Sequence, residues 1–163
     1  MFLDESRCNT DMTRRYAYSL GGSRAVDSAP LSKPKNTTIL SSIQLDGTLR
    51  YTTFSGGTTV ERFKRYLETD LLPHLNGNSV LIMDNMKSHH AKAVKNLLDS
   101  SEIRYIYLPP YSPDLNPIEK LWSKVKAFLR KFKARTLDAL PNAIQCAFQT
   151  VSPSDCSGWF HSC

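Results

Sequence analysis

Apolar and polar positions alternate most clearly between residues 39 and 54. Ile39, Ser41, Ile43 and Leu45 interleave with Leu40, Ser42 and Gln44, and Leu49, Tyr51 and Thr53 interleave with Arg50, Thr52 and Phe54. Asp46-Gly47 lies between the two runs, and period-two alternation around Asp-Gly predicts a β-hairpin. Gly56-Gly57 ends it, and Thr58-x-x-Glu61 has the form of a capping box. Val60, Phe63, Leu67 and Leu71 then recur at helical spacing until Pro73. Val80 to Met83 is a short continuous apolar run, the pattern of a strand buried on both faces.

Further along, Ala91, Val94, Leu97 and Leu98 mark a second helix, and Ile103 to Leu108 a further strand closed by Pro109-Pro110. A long helix opens at Asn116-Pro117, with Ile118, Leu121, Trp122, Val125, Phe128, Leu129 and Phe132 on one stripe. A last helix is expected from Thr136 to about Thr150, with Pro141 awkward in its first part. Before the hairpin, residues 14–18 read as a short strand and residues 19–36 as a Gly-, Ser- and Pro-rich loop. Hairpins mixed with crossover units predict an α/β fold whose sheet has some antiparallel pairing.

The length of 163 residues fits one domain. With 40% hydrophobic and 22% charged residues the chain is globular in composition rather than disordered. No apolar run approaches the roughly 20 residues needed to span a bilayer, and Met1 to Glu5 lacks the pattern of a signal peptide. Cys8, Cys146, Cys156 and Cys163 form no Cys-x-x-Cys pair and read as ordinary reduced thiols. A cytoplasmic location with no membrane partner is expected.

Charge sharpens this picture. The net charge is +6, but Lys120 to Arg135 alone carries +7 and no acid, so the other 147 residues sum to −1. This is a near-neutral domain with one basic segment. It is either a solvated helix face or a surface that follows a phosphate backbone. On a helical wheel at about 100° per residue, Glu119 heads a column otherwise made of Lys126, Arg130 and Lys133. Lys120 and Lys124 join these three as candidate phosphate contacts.

Three acids are candidates for chemistry. Asp84 ends a buried strand, where α/β folds place ligands, and a carboxylate beside apolar residues needs a compensating partner. Glu119 follows Asn116-Pro117, where it fits either a capping box or a site residue. Asp4 follows only three residues, so the strand that carries it is expected to be short. Tyr111 and Trp122 are candidates to stack on bases, although Trp122 lies on the apolar stripe and is read first as core.

Asp84-Asn85-x-x-x-His89, with Leu108-Pro109-Pro110-Tyr111-Ser112-Pro113-Asp114-Leu115-Asn116-Pro117-Ile118-Glu119, resembles the catalytic core of bacterial insertion-sequence transposases of the mariner-like Asp-Asp-Glu (DDE) superfamily. The 34 residues between Asp84 and Glu119 match that superfamily's spacing. Phe2-Leu3-Asp4-Glu5-Ser6 and Gly158-Trp159-Phe160 are also similar, so the resemblance covers essentially the whole chain. It implies an RNase H-like mixed sheet with flanking helices and a site of Asp4, Asp84 and Glu119. Those acids would hold two Mg²⁺ or Mn²⁺ ions, with Asp4 bridging, Asp84 holding one and Glu119 the other. Asn85 and His89 would support Asp84, and His89 would hold the Asp84 loop or approach DNA.

The implied partners are double-stranded DNA at element ends and target, and further copies of the chain. Family members carry an N-terminal helix-turn-helix region, so residues 1–163 are expected to be the catalytic domain alone. A separately encoded helix-turn-helix subunit is then an expected partner, and the implied setting is the nucleoid of a bacterial cytoplasm. Two other readings stay open: a catalytically impaired DNA-binding remnant, and an RNase H-like nuclease unrelated to transposition.

Overall fold

The computed structural model describes residues 1–14, 16–28, 34 and 36–163. Five strands form one mixed sheet in the order β3-β2-β1-β4-β5. They are β1 (Phe2–Asn9), β2 (Asn36–Ile43), β3 (Leu49–Ser55), β4 (Val80–Met83) and β5 (Arg104–Tyr107). β1 is antiparallel to β2 and β2 to β3, whereas β1–β4 and β4–β5 are parallel. The expected hairpin thus forms, and β4 and β5 follow crossover helices. Its turn is closed by Gly47, at φ +90°, with Gly47 N–H donating to Gln44 O at 3.2 Å.

β1 is longer than its few residues before Asp4 suggest. It runs on to Asn9 and pairs with β2 over its full length, with Asp4 opposite Ser41. Asp4 is therefore held inside an eight-residue central strand. The weak alternation after Asp4 hid this, because Ser6 is a polar residue turned inward and buried. The strand expected over residues 14–18 is not formed; the described residues there have no regular structure, and Arg15 lies outside the described residues.

Helices cover the sheet on two sides. Leu3, Leu40, Leu81 and Met83 pack with Phe63, Tyr66, Leu67 and Leu71, and with Val94 and Leu98. Those helical residues come from α1 (Val60–Tyr66), the π-helical turn Leu67–Leu71 that prolongs it, and α2 (Lys92–Ser100). Thr59, rather than Thr58, caps α1 by accepting from Arg62 N–H. On the other side Cys8, Ile39 and Ile43 pack against the apolar stripe of α3 (Ile118–Phe132) and against α4 (Ala139–Gln149). The two sets come from alternate positions along β1 and β2, as a pleated strand requires.

α5 (Pro153–His161) was not legible as a separate helix. Its Ser152 cap and Asp155 form a capping box after the turn that ends α4. Pro141 fits in the first turn of α4, where no intrahelical N–H is needed, and α4 accordingly begins at Ala139 rather than Thr136. β4 is not buried on both faces: Leu81 and Met83 are fully buried, but Val80 and Ile82 are only partly so, and Ile106 on the neighbouring β5 is 54% exposed. Among the described residues no helix is long and apolar enough to cross a membrane.

Candidate active site

The paired ladder of β1 and β4 ends at Leu3 opposite Met83. The next residues on the two strands are Asp4 and Asp84, so parallel register alone brings both acids to one place. β5 then leads through Pro109-Pro110-Tyr111 to a 3₁₀ turn (Pro113–Leu115) and into α3. This connection carries Asn116 and Glu119 to the same cleft. A cavity of about 440 Å³ results, lined by Asp4, Asp84, Asn85, Asn116, Glu119 and the Leu108–Pro113 segment.

Asp4 is 6% exposed. Its Oδ1 accepts from Glu5 N–H at 2.6 Å, and its Oδ2 accepts from the Trp122 indole N–H at 3.1 Å and from Asn116 Nδ2 at 3.4 Å. Burial nevertheless pushes its carboxyl up to about 7, and the negative charges of Asp84 and Glu119 push the same way against these donors. A buried acid repelled by two other acids is a site that gains from a cation.

Asp84 is positioned by His89. The ring is fully buried, stacks on Phe63 with centroids 4.1 Å apart, and sets Nδ1 2.8 Å from Asp84 Oδ1. Nδ1 is aligned with the Asp84 carbonyl, at 3.3 Å, so Oδ1 is near the ring without accepting a directed hydrogen bond from it. Tyr107 completes the support by donating its hydroxyl to His89 O at 2.9 Å. The buried His89 ring thus contacts the Asp84 loop. Asn85 pairs with His90 Nε2 instead of orienting Asp84.

Glu119 is exposed in the first turn of α3. The capping-box account of this residue does not hold. Asn116 gives no side-chain cap to α3, because its amide is turned to Asp4. Among the described residues the Glu119 carboxylate accepts no hydrogen bond and forms no ion pair, so it faces the cleft unengaged.

Two buried acceptors, Asp84 Oδ1 and Asn116 Oδ1, have no donor. Orphaned buried oxygens beside a repelled carboxylate fit a hard divalent cation. The three acids are nevertheless spread around the cleft. Among the described residues no three Asp, Glu, His or Cys side chains are gathered tightly enough to hold one ion between them.

The basic segment divides. Lys124 reaches Asp155 at 2.5 Å, and Lys133 reaches Asp27 at 2.5 Å. Lys133 also leaves the expected helical column, since α3 ends at Phe132 and Lys133 takes the left-handed cap position at φ +56°. Arg135 donates to the carbonyls of Thr10 and Met12. Lys120, Lys126 and Arg130 form no ion pair among the described residues. Tyr111, fully exposed and at φ +58°, stands on the rim of the cleft.

Two contributors escaped the sequence reading. Asn116 looked like a helix cap and Trp122 like a core residue, yet both donate to Asp4. The signal for Trp122 was available in principle: a buried indole N–H needs an acceptor.

Comparison with known proteins finds relatives of the same fold. The Tc1 transposase of Caenorhabditis elegans is 27% identical over 97 residues, covering 57% of this chain and 36% of that protein. The crystal structure of a pre-cleavage Mos1 transpososome superposes with a TM-score of 0.79 at 18% identity, over 98% of this chain and 51% of that one. The crystal structure of the mariner Mos1 paired end complex with Mg superposes at 0.72 and 19% identity, over 98% of this chain and 50% of that one. The expected RNase H-like fold is thus the observed one. The chain spans about a third of the length of the Tc1 protein and half that of the Mos1 chain. The named organism is a nematode rather than a bacterium. A model described as DDE superfamily endonuclease matches residues 1–141, and the chain belongs to that family.

Proposed function

We propose that this chain is the catalytic domain of a DNA transposase, cutting and joining phosphodiester bonds at the ends of its element. The observation that carries this reading is the cleft where Asp4, Asp84 and Glu119 come from β1, β4 and α3 to line one cavity. Asp4, Asp84 and Glu119 are the residues that would hold metal, and the Mos1 complex with Mg supports a divalent ion. What two ions, Mg²⁺ or Mn²⁺, supply when bound is neutralisation of the charge that builds on the phosphate and activation of the attacking oxygen.

The chain's own residues do the rest. Asp4, whose proton affinity burial raises, would hold an ion in its ionised form. His89 holds the Asp84 loop against Phe63, so that acid keeps its place. Glu119 approaches from a helix whose apolar stripe is fixed in the core. Lys120, Lys126 and Arg130 meet phosphates along the duplex, and Lys124 and Lys133 join them where their acidic partners are displaced.

The partners in this reading are double-stranded DNA at the element ends and target, and a second copy of the chain. The transpososome and paired-end descriptions of Mos1 support both. A helix-turn-helix region, on this or another chain, would read the end sequences. The Pro-Pro-Tyr-Ser-Pro-Asp-Leu-Asn-Pro-Ile-Glu block supports an insertion-sequence element working in a bacterial nucleoid.

The test is Mg²⁺-dependent cleavage of a duplex bearing the element ends. Asp84→Asn and Glu119→Gln are each expected to lower the rate at least about 10²-fold, the scale of a misplaced reacting group. Equal rates for mutants and wild type would remove the metal-site reading. The spread of the acids favours one alternative, a DNA-binding remnant with impaired catalysis. That reading predicts duplex binding by the wild type without cleavage at any Mg²⁺ or Mn²⁺ concentration.

A further inference from the structure

We propose that Trp122 is a positioning residue for Asp4, so that α3 both presents Glu119 and clamps the acid facing it. The inference rests on the metal-site reading above and goes beyond it in naming what fixes the first acid.

Asp4 lies on the face of β1 that also carries the buried Ser6 and Cys8. Cys8 packs in the same core as the α3 stripe. A carboxylate there has two oxygens and about four lone-pair directions to satisfy. Oδ1 is taken by the neighbouring Glu5 N–H at 2.6 Å, a contact that any chain conformation near this one retains. Oδ2 depends on α3 and the turn before it. The Trp122 donor at 3.1 Å lies within the normal N–H···O range, while the Asn116 donor at 3.4 Å lies beyond it. Trp122 is therefore the stronger constraint.

The geometry of α3 gives this bond its reach. Trp122 is three residues after Glu119, so both side chains belong to adjacent positions on one turn. Trp122 is 3% exposed and wedged among Ile118, Val125 and the α4 residues, so its indole has little freedom to follow a moving acid. A shift of α3 would move Glu119 and the Oδ2 donor together. The cleft side of Asp4 then keeps a fixed relation to Glu119 without a direct bond between them.

Phenylalanine at 122 keeps an aromatic ring in the core and deletes the donor. The readout is Mn²⁺ affinity of the full chain without DNA, measured from the paramagnetic resonance of free Mn²⁺. Trp122→Phe is expected to weaken Mn²⁺ binding about 10- to 100-fold, the usual effect of losing a group that orients a ligand. Asn116→Ala should cost less. A folded Trp122→Phe chain that binds Mn²⁺ like the wild type would overturn the proposal. If Asp84→Asn and Glu119→Gln also bind like the wild type, the metal-site reading itself fails. If they lose binding and Trp122→Phe does not, only the role of Trp122 fails.

A second measurement covers a Trp122→Phe chain that does not fold. Trp159→Phe leaves Trp122 as the only tryptophan. Its emission should change on saturation with Mg²⁺, because Asp4, the acceptor of its N–H, would then also hold the ion. Constant emission at saturating Mg²⁺ would overturn the proposal.

Discussion

His89 Nδ1 lies 2.8 Å from Asp84 Oδ1 while the His89 ring is stacked on Phe63 in the core. The contact joins the cleft to the packing of α1. Asp84 is 37% exposed in its side chain, so charge pairing with His89 adds little by itself. The weight of the contact is in the buried ring. His89→Ala is expected to lower stability by about 2–4 kcal/mol, as for other large buried side chains cut to alanine. Cleavage at fixed Mg²⁺ should fall about 10- to 100-fold. His89→Asn restores a donor to the loop and should recover part of the cleavage but little of the stability. Urea unfolding and cleavage assays on both variants check this split.

Asp4 makes metal-free stability depend on pH. Its carboxyl lies near 7 in the fold and near 3.8 in an unfolded chain, with burial the main cause. Between these values the folded state holds a proton that the unfolded state has lost. Stability from this group is complete below about pH 4 and declines as pH rises to about 7, by at most on the order of 4 kcal/mol. Added Mn²⁺ replaces that proton, so it should raise the melting temperature more at pH 8 than at pH 5.5. Asp4→Asn should remove this fall in stability across the window. Thermal melts with and without Mn²⁺ at the two pH values test it.

Asp155 predicts the opposite trend at lower pH. Lys124 and the Ser152 cap contacts pull its carboxyl down to about 2. What it contributes is present above about pH 4 and is lost as pH falls toward 2. Asp155→Ala removes both the partner of Lys124 and the cap contacts of Ser152 and should cost about 1 kcal/mol at pH 7. Melting curves of wild type and Asp155→Ala should converge near pH 2. Lys124→Ala, which removes the ion pair alone, should have a smaller effect at pH 7.

Gly47 ties the hairpin turn to α5. At φ +90° it is in the left-handed region, and a Cβ there would stand 2.7 Å from Pro153 Cα. Both the backbone and the space forbid a side chain. Gly47→Ala should destabilise by more than the roughly 1–2 kcal/mol of a left-handed residue alone. Asp46→Ala, one position earlier, should cost less, since it loses one hydrogen bond to Thr48 N–H. Chemical denaturation of the two variants gives the comparison.

Much of the sheet and of the cleft was readable from local pattern. Alternation around Asp46-Gly47 marks β2 and β3, and the apolar stripe from Ile118 to Leu129 marks α3, because each pattern has the period of the element that buries it. Asp84 and Glu119 were legible as candidate site residues from the end of β4, the start of α3 and the proline-rich block between them. Local pattern failed where burial is decided by another part of the chain. β1 runs past Asp4 because Ser6 pairs with Ile39 of β2, a partner 33 positions away. α5 exists because Pro153 and Ser152 start a new helix against the hairpin turn.

The sequence by itself determined the alternation of strands and helices, the concentration of charge between Lys120 and Arg135, and the three acids. Which of those charges are free was decided by the fold, since Lys124 and Lys133 find acids at positions 155 and 27. So was the state of Asp4: its proton affinity comes from burial, and its hold on Trp122 and Asn116 from side chains more than 110 positions away. Periodicity registers which residues are buried. It carries no record of which buried donor meets which buried acceptor, because that depends on the packing of α3 onto β1.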